Sequence, residues 1–119
     1  MSITDSAQIG PGRKLRSTGL TYYSYLNVTP RNDDWIADYL STANRLIAKH
    51  GGKYLARTAE HEQIEGVPAQ VGLRIIIEWP SKDAAQAFEN DPEYKPHLDA
   101  RLSNSTSEHI LIAGKDDLA

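Results

Sequence analysis

The sequence predicts an α+β domain whose elements follow the order strand, helix, strand, strand, helix, strand. Three observations support this prediction. A stretch with helical spacing stops at Gly51-Gly52, and residues with strand alternation begin directly afterwards. Pro30 and Pro80 each stand between a strand-like run and a helical one, where proline stops the preceding element. The strand–helix–strand pattern then occurs a second time along the chain.

The first strand is predicted over residues 21–28, because aromatic, β-branched and bulky side chains dominate this run before Thr29-Pro30 turns the chain. A long amphipathic helix is predicted from there to about His50, with apolar residues three and four apart. The oxygens and charges of residues 32–34, Asn-Asp-Asp, are expected to cap it. Gly51-Gly52 ends the helix, since glycine adopts the left-handed conformation without steric cost.

The second strand is predicted over residues 53–58. Alternation places Tyr54, Ala56 and Thr58 on one side and Lys53, Leu55 and Arg57 on the other. Residues 59–71 form a connection that is long for a hairpin, and loops of this length are often functional or mobile. The third strand is predicted over residues 72–79, with Leu73, Ile75, Ile77 and Trp79 on one face and Arg74, Ile76 and Glu78 on the other.

A second helix is predicted after Pro80, with Ser81 as its N-cap. Asp91-Pro92 interrupts the helical spacing, which resumes at Tyr94, so this helix is expected to be bent or split into two pieces. The last strand is predicted over residues 108–113.

Residues 1–18 are expected to be a flexible arm, because they are rich in Ser, Thr, Gly and Pro. The basic run at residues 13–16 is interpreted as a solvated tail, with contact to a ligand or a neighbouring subunit as the alternative. Residues 19–119 are then expected to form a single domain.

The predicted order is that of the ferredoxin-like fold, a four-stranded antiparallel sheet with both helices on one face. The strands carry apolar side chains on both sides, so the face without helices needs a cover. A second copy of the chain is the simplest cover. We therefore expect a homodimer with the two sheets face to face.

Composition excludes several classes of function. The net charge of -3 disfavours nucleic acid and acidic membrane surfaces as partners, and the third strand lacks the aromatic pattern of RNA-recognition sheets. The absence of cysteine excludes disulfides, thiolate nucleophiles and cysteine-ligated metal sites. No apolar run approaches the roughly 20 residues of a membrane span, and no secretory signal is recognised, so a cytoplasmic location is expected.

Arg57 and Glu78 are the leading candidates for chemistry, because a charge inside a strand must face solvent, pair with an opposite charge or meet a ligand. One interpretation is a cross-strand ion pair at the hairpin or the dimer seam. The other is a ligand site, in which the guanidinium binds a carboxylate or enolate and the carboxylate removes a proton.

The histidines and tyrosines supply further candidates. The four histidines, His50, His61, His97 and His109, do not share the spacing of a metal site on one element, so no metal is expected. His97 and His109 are candidate acid–base groups, with ordinary hydrogen-bonded histidine as the alternative. Tyrosines such as Tyr23, Tyr54 and Tyr94 are candidates for lining an aromatic cavity, and packing in the core or at the dimer interface is the alternative.

Residues 48–57, Ala-Lys-His-Gly-Gly-Lys-Tyr-Leu-Ala-Arg, closely resemble the signature of the family known as domain of unknown function 1330. Further similarity is found at residues 78–81 (Glu-Trp-Pro-Ser), at Ala84-Ala85, and at residues 91–94 (Asp-Pro-Glu-Tyr), followed by Arg101. The resemblance extends over about residues 20–114. Two positions depart from the family pattern: Thr58-Ala59 stand where it commonly has Gly-Gly, and Asp91 replaces its usual serine.

The resemblance implies a dimeric α/β barrel, an architecture shared by cofactor-independent monooxygenases, muconolactone isomerases and stress-response barrel proteins. One hypothesis is therefore an enzyme without metal or cofactor that abstracts a proton, isomerises or oxygenates a small organic molecule. Its candidate catalytic residues are Arg57, Glu78 and His97, and its candidate ligand-binding residues are Tyr54, Tyr23, Tyr94 and Arg101. The alternative is a non-catalytic dimeric module that binds a ligand or serves in a stress response.

Overall fold

The computed structural model describes residues 20–119, so the expected arm at residues 1–18 lies outside the described part. The elements are β1 (Tyr22–Pro30), α1 (Ile36–Lys49), β2 (Lys53–Thr58), β3 (Leu73–Trp79), α2 (Lys82–Glu89), α3 (Lys95–Asn104) and β4 (Ser105–Ala113). The strands form one antiparallel sheet in the order β2-β3-β1-β4. The predicted ferredoxin-like fold is confirmed, and the second helix is split at Asp91-Pro92 as expected. None of the described helices combines the length and the apolar composition needed to cross a bilayer.

β1 and β4 are longer than predicted at the end where they meet. β1 continues to Pro30, which pairs with Ser105, so the expected turn at Thr29-Pro30 begins later. Proline fits there because it lacks a backbone N–H and stands at a strand end. Pairing of β1 with β3 already stops at Val28, so Pro30 has no partner on that side that would need its N–H.

The start of α1 also differs from the prediction. Trp35 is the N-cap, and no side chain bonds to the helix start, so residues 32–34 do not act as side-chain caps. Asn32 is occupied elsewhere: its amide donates to Asn104 Oδ1 at 3.0 Å, and its carbonyl accepts the Trp35 indole N–H at 2.9 Å. The segment before α1 is therefore attached to the end of α3.

The glycine pair after α1 has two separate structural reasons. Gly51 has φ of 83° and donates its N–H to Ala48 O at 3.0 Å, while the Gly52 N–H donates to Ile47 O at 2.8 Å. These two bonds are the left-handed helix end that the sequence predicts. Gly52 is required by packing instead, because a Cβ there would lie 2.7 Å from both Ile47 Cγ2 and the Trp79 ring.

The core lies between the helices and one face of the sheet. Its buried apolar residues are Leu26, Val28, Ala43, Leu46, Ile47, Ile77, Trp79, Ala85, Phe88 and Tyr94. Ile77 and Trp79 point inward from β3, as the predicted alternation requires. On the other face, which we call the open sheet face, Ile76, Ile110 and Ile112 keep 39%, 53% and 49% of their surface exposed.

Candidate functional site

A β-bulge at Leu55 determines which side chains of β2 point toward the helices. Tyr54 pairs with Ile77, but the next pair is Ala56 with Ile76, so the register shifts by one residue. Arg57 consequently pairs with Ile75 and shares the inward face with Tyr54. The predicted alternation, which put Tyr54 and Arg57 on opposite sides, is wrong because a bulge breaks the two-residue period.

Arg57 is held by contacts on this inward side. Its guanidinium carbon lies 3.9 Å from the centroid of the Tyr54 ring, a cation–π geometry. Its Nη1 donates a hydrogen bond to Asn44 Oδ1 of α1 at 2.8 Å. Burial raises the pKa of Tyr54, and the neighbouring Arg57 charge opposes that rise. Arg57 therefore stands at the outer edge of the space between β2 and α1.

Arg57 and Glu78 do not meet. Glu78 pairs with Lys53 on one side and with Tyr23 on the other, which places it on the open sheet face. Arg57 is on the face that carries the helices, so the expected contact between the two charges is wrong, both as an ion pair and as a shared site. In the described part of the chain, Glu78 forms no ion pair.

A cavity of about 60 Å³ lies between the inward face of the sheet and the helices. Its walls are mostly apolar and include the aromatic rings of Trp35, Trp79 and Phe88. The charged and polar side chains on its lining include Tyr54, Arg57, Glu89, Tyr94, Arg101 and His109. The structure therefore brings together five of the predicted candidates, namely Arg57, Tyr54, Tyr94, Arg101 and His109.

Tyr94 forms a wall of this cavity and is itself 1% exposed. Its hydroxyl is hydrogen-bonded to the Tyr39 hydroxyl at 2.9 Å, and its ring centroid lies 4.2 Å from that of Phe88. Burial raises the pKa of Tyr94 well above the usual value for a tyrosine, so its hydroxyl stays protonated at neutral pH.

Arg101 on α3 is a buried cation at the cavity. Only 3% of its surface is exposed. Its Nη1 donates to Ser107 Oγ at 2.7 Å, while its Nε–H has no acceptor. No carboxylate in the described residues forms an ion pair with it. Burial disfavours its charged form, but Tyr39, whose ring centroid lies 5.9 Å from the guanidinium carbon, together with Tyr94 and Glu89 raises the pKa of Arg101 on balance. Its Nε–H nevertheless stays without an acceptor that a bound anion could supply.

A hydrogen-bonded chain of side chains reaches the same cavity from the sheet. His109 Nε2 lies 2.7 Å from Ser24 Oγ, which also accepts the Trp79 indole N–H at 2.8 Å. On the other side of the ring, His109 Nδ1 lies 3.4 Å from Glu89 Oε2. Sequence reasoning had named His109 but missed Glu89 and Ser24. Inward alternation of β1 would have indicated Ser24, whereas Glu89 is recognisable only as the end of α2.

Tyr23, Glu78 and His97 do not line the cavity. Tyr23 lies on the open sheet face, paired with Glu78 and Ile112. His97 is between α3 and α1, where its Nε2 lies 3.3 Å from Thr42 Oγ1. Functional roles for these three residues stay predictions that the cavity does not favour. Within residues 20–119, no three His, Asp or Glu side chains are placed to hold a metal ion.

Comparison with known proteins identifies the family and the fold of this chain. Residues 21–115 match the family described as Domain of unknown function (DUF1330). No curated protein matches the chain.

Among solved structures, the RPA0582 protein of unknown function from Rhodopseudomonas palustris is similar, with a TM-score of 0.71, 17% identity and coverage of 83% of this chain and 85% of that one. SnoaB, a cofactor-independent oxygenase from Streptomyces nogalater, gives a TM-score of 0.51 at 21% identity, covering 83% and 95%. A dimeric ferredoxin-like protein of unknown function from Jannaschia sp. CCS1 gives 0.60 at 10% identity, covering 77% and 97%. At these identities the similarity shows the fold alone.

Proposed function

The chain belongs to the DUF1330 family, and we propose that it binds a small organic anion in the cavity between its sheet and helices and acts on it without a cofactor. The observation that carries this proposal is Arg101, a buried guanidinium on the cavity lining without a carboxylate partner in the described residues. A ligand carboxylate or enolate would supply the acceptor that the Arg101 Nε–H lacks and would place a negative charge beside the guanidinium.

The walls indicate which end of the ligand the cavity holds. Trp79 and Phe88 pack in a tilted arrangement with 5.4 Å between ring centroids, and Phe88 in turn packs on Tyr94. Aromatic walls of this kind favour a planar, unsaturated group at the anionic end of the ligand. The volume of about 60 Å³ is well below the roughly 300–1,000 Å³ of common ligand pockets. We therefore propose that only the anionic end enters and that the remainder extends past the exposed Arg57.

One protein of the same fold supports the proposal that the chain acts without a cofactor. SnoaB, which shares this fold, is a cofactor-independent oxygenase. The alternative remains a protein that binds the same kind of anion without converting it, and the small cavity volume is the observation in its favour. Conversion of the bound molecule distinguishes the two functions. Both require Arg101 for binding, but only the enzyme changes the molecule that it binds.

We also propose a homodimer formed through the open sheet face. The exposed Ile76, Ile110 and Ile112 give that face an apolar surface of the kind that partners cover. The fold relative from Jannaschia is described as dimeric, which supports the same arrangement here. In this proposed dimer the sheets of the two subunits close into a barrel.

Calorimetric titration with phenylpyruvate tests the anion site, because this molecule combines a carboxylate with a flat aromatic ring. We expect saturable binding that weakens by about tenfold or more in Arg101→Lys, since the planar two-pronged donor is lost. Arg45→Lys is the matched control, because Arg45 is an exposed residue paired with Glu93 on the surface. Equal binding by wild type and Arg101→Lys, or no binding by the wild type, would contradict the proposal.

A further inference from the structure

We infer that Glu89 is the proton-accepting group of this cavity, with His109, which is hydrogen-bonded to Ser24, beside its carboxylate. The inference rests on the proposed anion site and assigns the base of its reaction. It names a residue other than Glu78, the carboxylate that the sequence favoured, because Glu78 lies on the opposite face of the sheet. The substrate class becomes small carboxylic acids with an acidic C–H bond next to a carbonyl group.

The direction of each hydrogen bond follows from the chemistry of the groups. The Trp79 indole N–H can only donate, so it occupies a lone pair of Ser24 Oγ at 2.8 Å. His109 Nδ1 faces the Glu89 carboxylate at 3.4 Å without hydrogen-bond geometry, and Glu89 Oε2 has no hydrogen-bond partner in the described residues. Because a carboxylate attracts an N–H, we place the proton of the ring on Nδ1. His109 Nε2 is then an acceptor, and the Ser24 hydroxyl donates to it at 2.7 Å. A single assignment of protons therefore fits the two hydrogen bonds and places an N–H toward Glu89.

The exposed fraction of each side chain decides which of Glu89, His109 and Ser24 a ligand can reach. The order Glu89, His109, Ser24 is that of a nucleophilic triad, but Ser24 is 0% exposed and its oxygen already accepts the Trp79 N–H. The His109 and Glu89 side chains are 18% and 29% exposed. Nε2 of His109 is hydrogen-bonded to Ser24, and its Nδ1 faces the Glu89 carboxylate. The carboxylate of Glu89 is therefore the accessible group with capacity to take a proton.

The surroundings of Glu89 suit this role. Its Oε2 atom is buried, faces His109 Nδ1 at 3.4 Å and has no hydrogen-bond partner in the described residues, so its lone pairs are not occupied by the protein. Arg101, on the same cavity lining, is the cation that can neutralise the negative charge left on the ligand.

The step balances without any further reactant. A C–H bond next to the ligand carbonyl breaks, its proton moves to a Glu89 carboxylate oxygen, and its electron pair forms the C=C bond of an enolate. The negative charge moves from Glu89 to the enolate oxygen, where the Arg101 guanidinium stabilises it. Return of the proton to carbon or to oxygen gives the keto or the enol form and restores Glu89.

Deuterium exchange at the CH₂ group of phenylpyruvate in D₂O, followed by proton NMR, tests the assignment. We expect wild-type protein to accelerate exchange above the buffer rate and Glu89→Gln to lose at least about 10²-fold of that acceleration. Phenylpyruvate should still bind to Glu89→Gln within about threefold of wild type, because Arg101 is intact. Glu89→Asp should retain part of the exchange, since it keeps the carboxylate and shortens its reach.

Glu93→Gln is the matched control, because Glu93 is exposed and bound to Arg45 away from the cavity. The outcomes separate the two proposals. Binding with undiminished exchange in Glu89→Gln, or binding by wild type with no exchange at all, overturns the assignment of Glu89 and leaves the anion site standing. Absence of phenylpyruvate binding to folded wild type overturns the anion site, and the assignment falls with it.

Discussion

The guanidinium carbon of Arg57 lies 3.9 Å from the centre of the Tyr54 ring, although the two residues are three positions apart on one strand. Side chains at that spacing normally point to opposite faces of a sheet. The bulge at Leu55 brings them to the same face and directs Arg57 toward α1, where Asn44 accepts its hydrogen bond. The signature arginine therefore belongs to the cavity side of the sheet.

Replacement of Arg57 by alanine should weaken ligand binding with little effect on folding. The side chain is exposed, and an exposed cation–π contact contributes about 0.5–1 kcal/mol, so we expect the free energy of unfolding to fall by about 1 kcal/mol or less. Phenylpyruvate affinity should fall several-fold, because one of two cationic groups at the cavity is gone. Urea unfolding and calorimetric titration measure the two effects. Unfolding of the variant at room temperature would show that Arg57 is structural.

Replacement of Gly52 by alanine should destabilise the fold. The added Cβ would lie 2.7 Å from Ile47 Cγ2 and from the Trp79 ring, so helix α1 or the tryptophan must move. Overpacking of this kind costs about 1–3 kcal/mol. Urea unfolding of the Gly52→Ala protein should show that loss as a lower midpoint at an unchanged slope. A midpoint equal to that of wild type would mean that the α1–β3 contact is looser than described.

Asp91 should make stability depend on pH in the acid range. Hydrogen bonds from His50 at 2.8 Å, from the Glu93 backbone N–H and from Lys49 hold the pKa of Asp91 below its usual 3.8. A lowered pKa in the folded state contributes stability above the unfolded value, and that contribution is lost as pH falls through the folded value.

Asp91→Ser, which introduces the residue that the family pattern has here, should therefore melt below wild type at pH 6. The difference between the two melting temperatures should shrink as pH is lowered below 3.8. Thermal melts followed by circular dichroism over this range provide the measurement. A difference that stays constant down to pH 2 would show that Asp91 does not act through its charge.

The proposed homodimer predicts that a charge on the open sheet face separates the subunits. Ile110→Asp should sediment as a monomer where wild type sediments as a dimer, because the aspartate would have to be buried at the interface. Leu102→Asp is the control, since Leu102 is equally exposed, at 54%, but stands on α3 on the other side of the sheet. Analytical ultracentrifugation of wild type and both variants measures their oligomeric states. A monomeric wild type, or an Ile110→Asp dimer, would contradict the interface.

The hydrogen-bonded chain predicts an unusual proton position on His109. In the neutral ring the proton should be on Nδ1, since Nδ1 faces the Glu89 carboxylate at 3.4 Å and the Ser24 hydroxyl, 2.7 Å from Nε2, can donate to that nitrogen. Nitrogen-15 chemical shifts of the histidine rings distinguish this tautomer from the other. Glu89→Gln should change the His109 shifts, whereas Glu93→Gln should leave them as they are. A neutral His109 with its proton on Nε2 would reverse the direction of the Ser24–His109 hydrogen bond. That result would count against Glu89 as the proton-accepting group.

The sequence predicted the fold well because the fold depends on local patterns. Alternation along residues 72–79 correctly predicted that Ile77 and Trp79 point inward and Ile76 outward. The glycine pair predicted the end of α1, and Asp91-Pro92 predicted the division between α2 and α3. Each of these signals is contained in a few consecutive residues, so no tertiary contact is needed to recognise it.

The site was only partly predictable, because it depends on a register shift and on long-range packing. Nothing in the run from Lys53 to Thr58 marks Leu55 as a bulge, so alternation put Arg57 on the opposite face from Tyr54. Arg101 and Glu89 come from different helices and His109 from the last strand, and only the packing of α2 and α3 on the sheet gathers them at one cavity. Arg101 was named from the family pattern, while Glu89 required the structure.

The Arg101 Nε–H group offers the most direct test of the anion site, because it is buried and has no acceptor in the described structure. In a nitrogen-15 correlation spectrum, phenylpyruvate should shift the Arg101 Nε–H resonance with saturation, while the resonance of exposed Arg45 stays in place. Assignment of the signal follows from its loss in Arg101→Lys. Saturable movement of this resonance is the result we predict, and an Arg101 signal that stays unchanged at saturating phenylpyruvate would contradict the account.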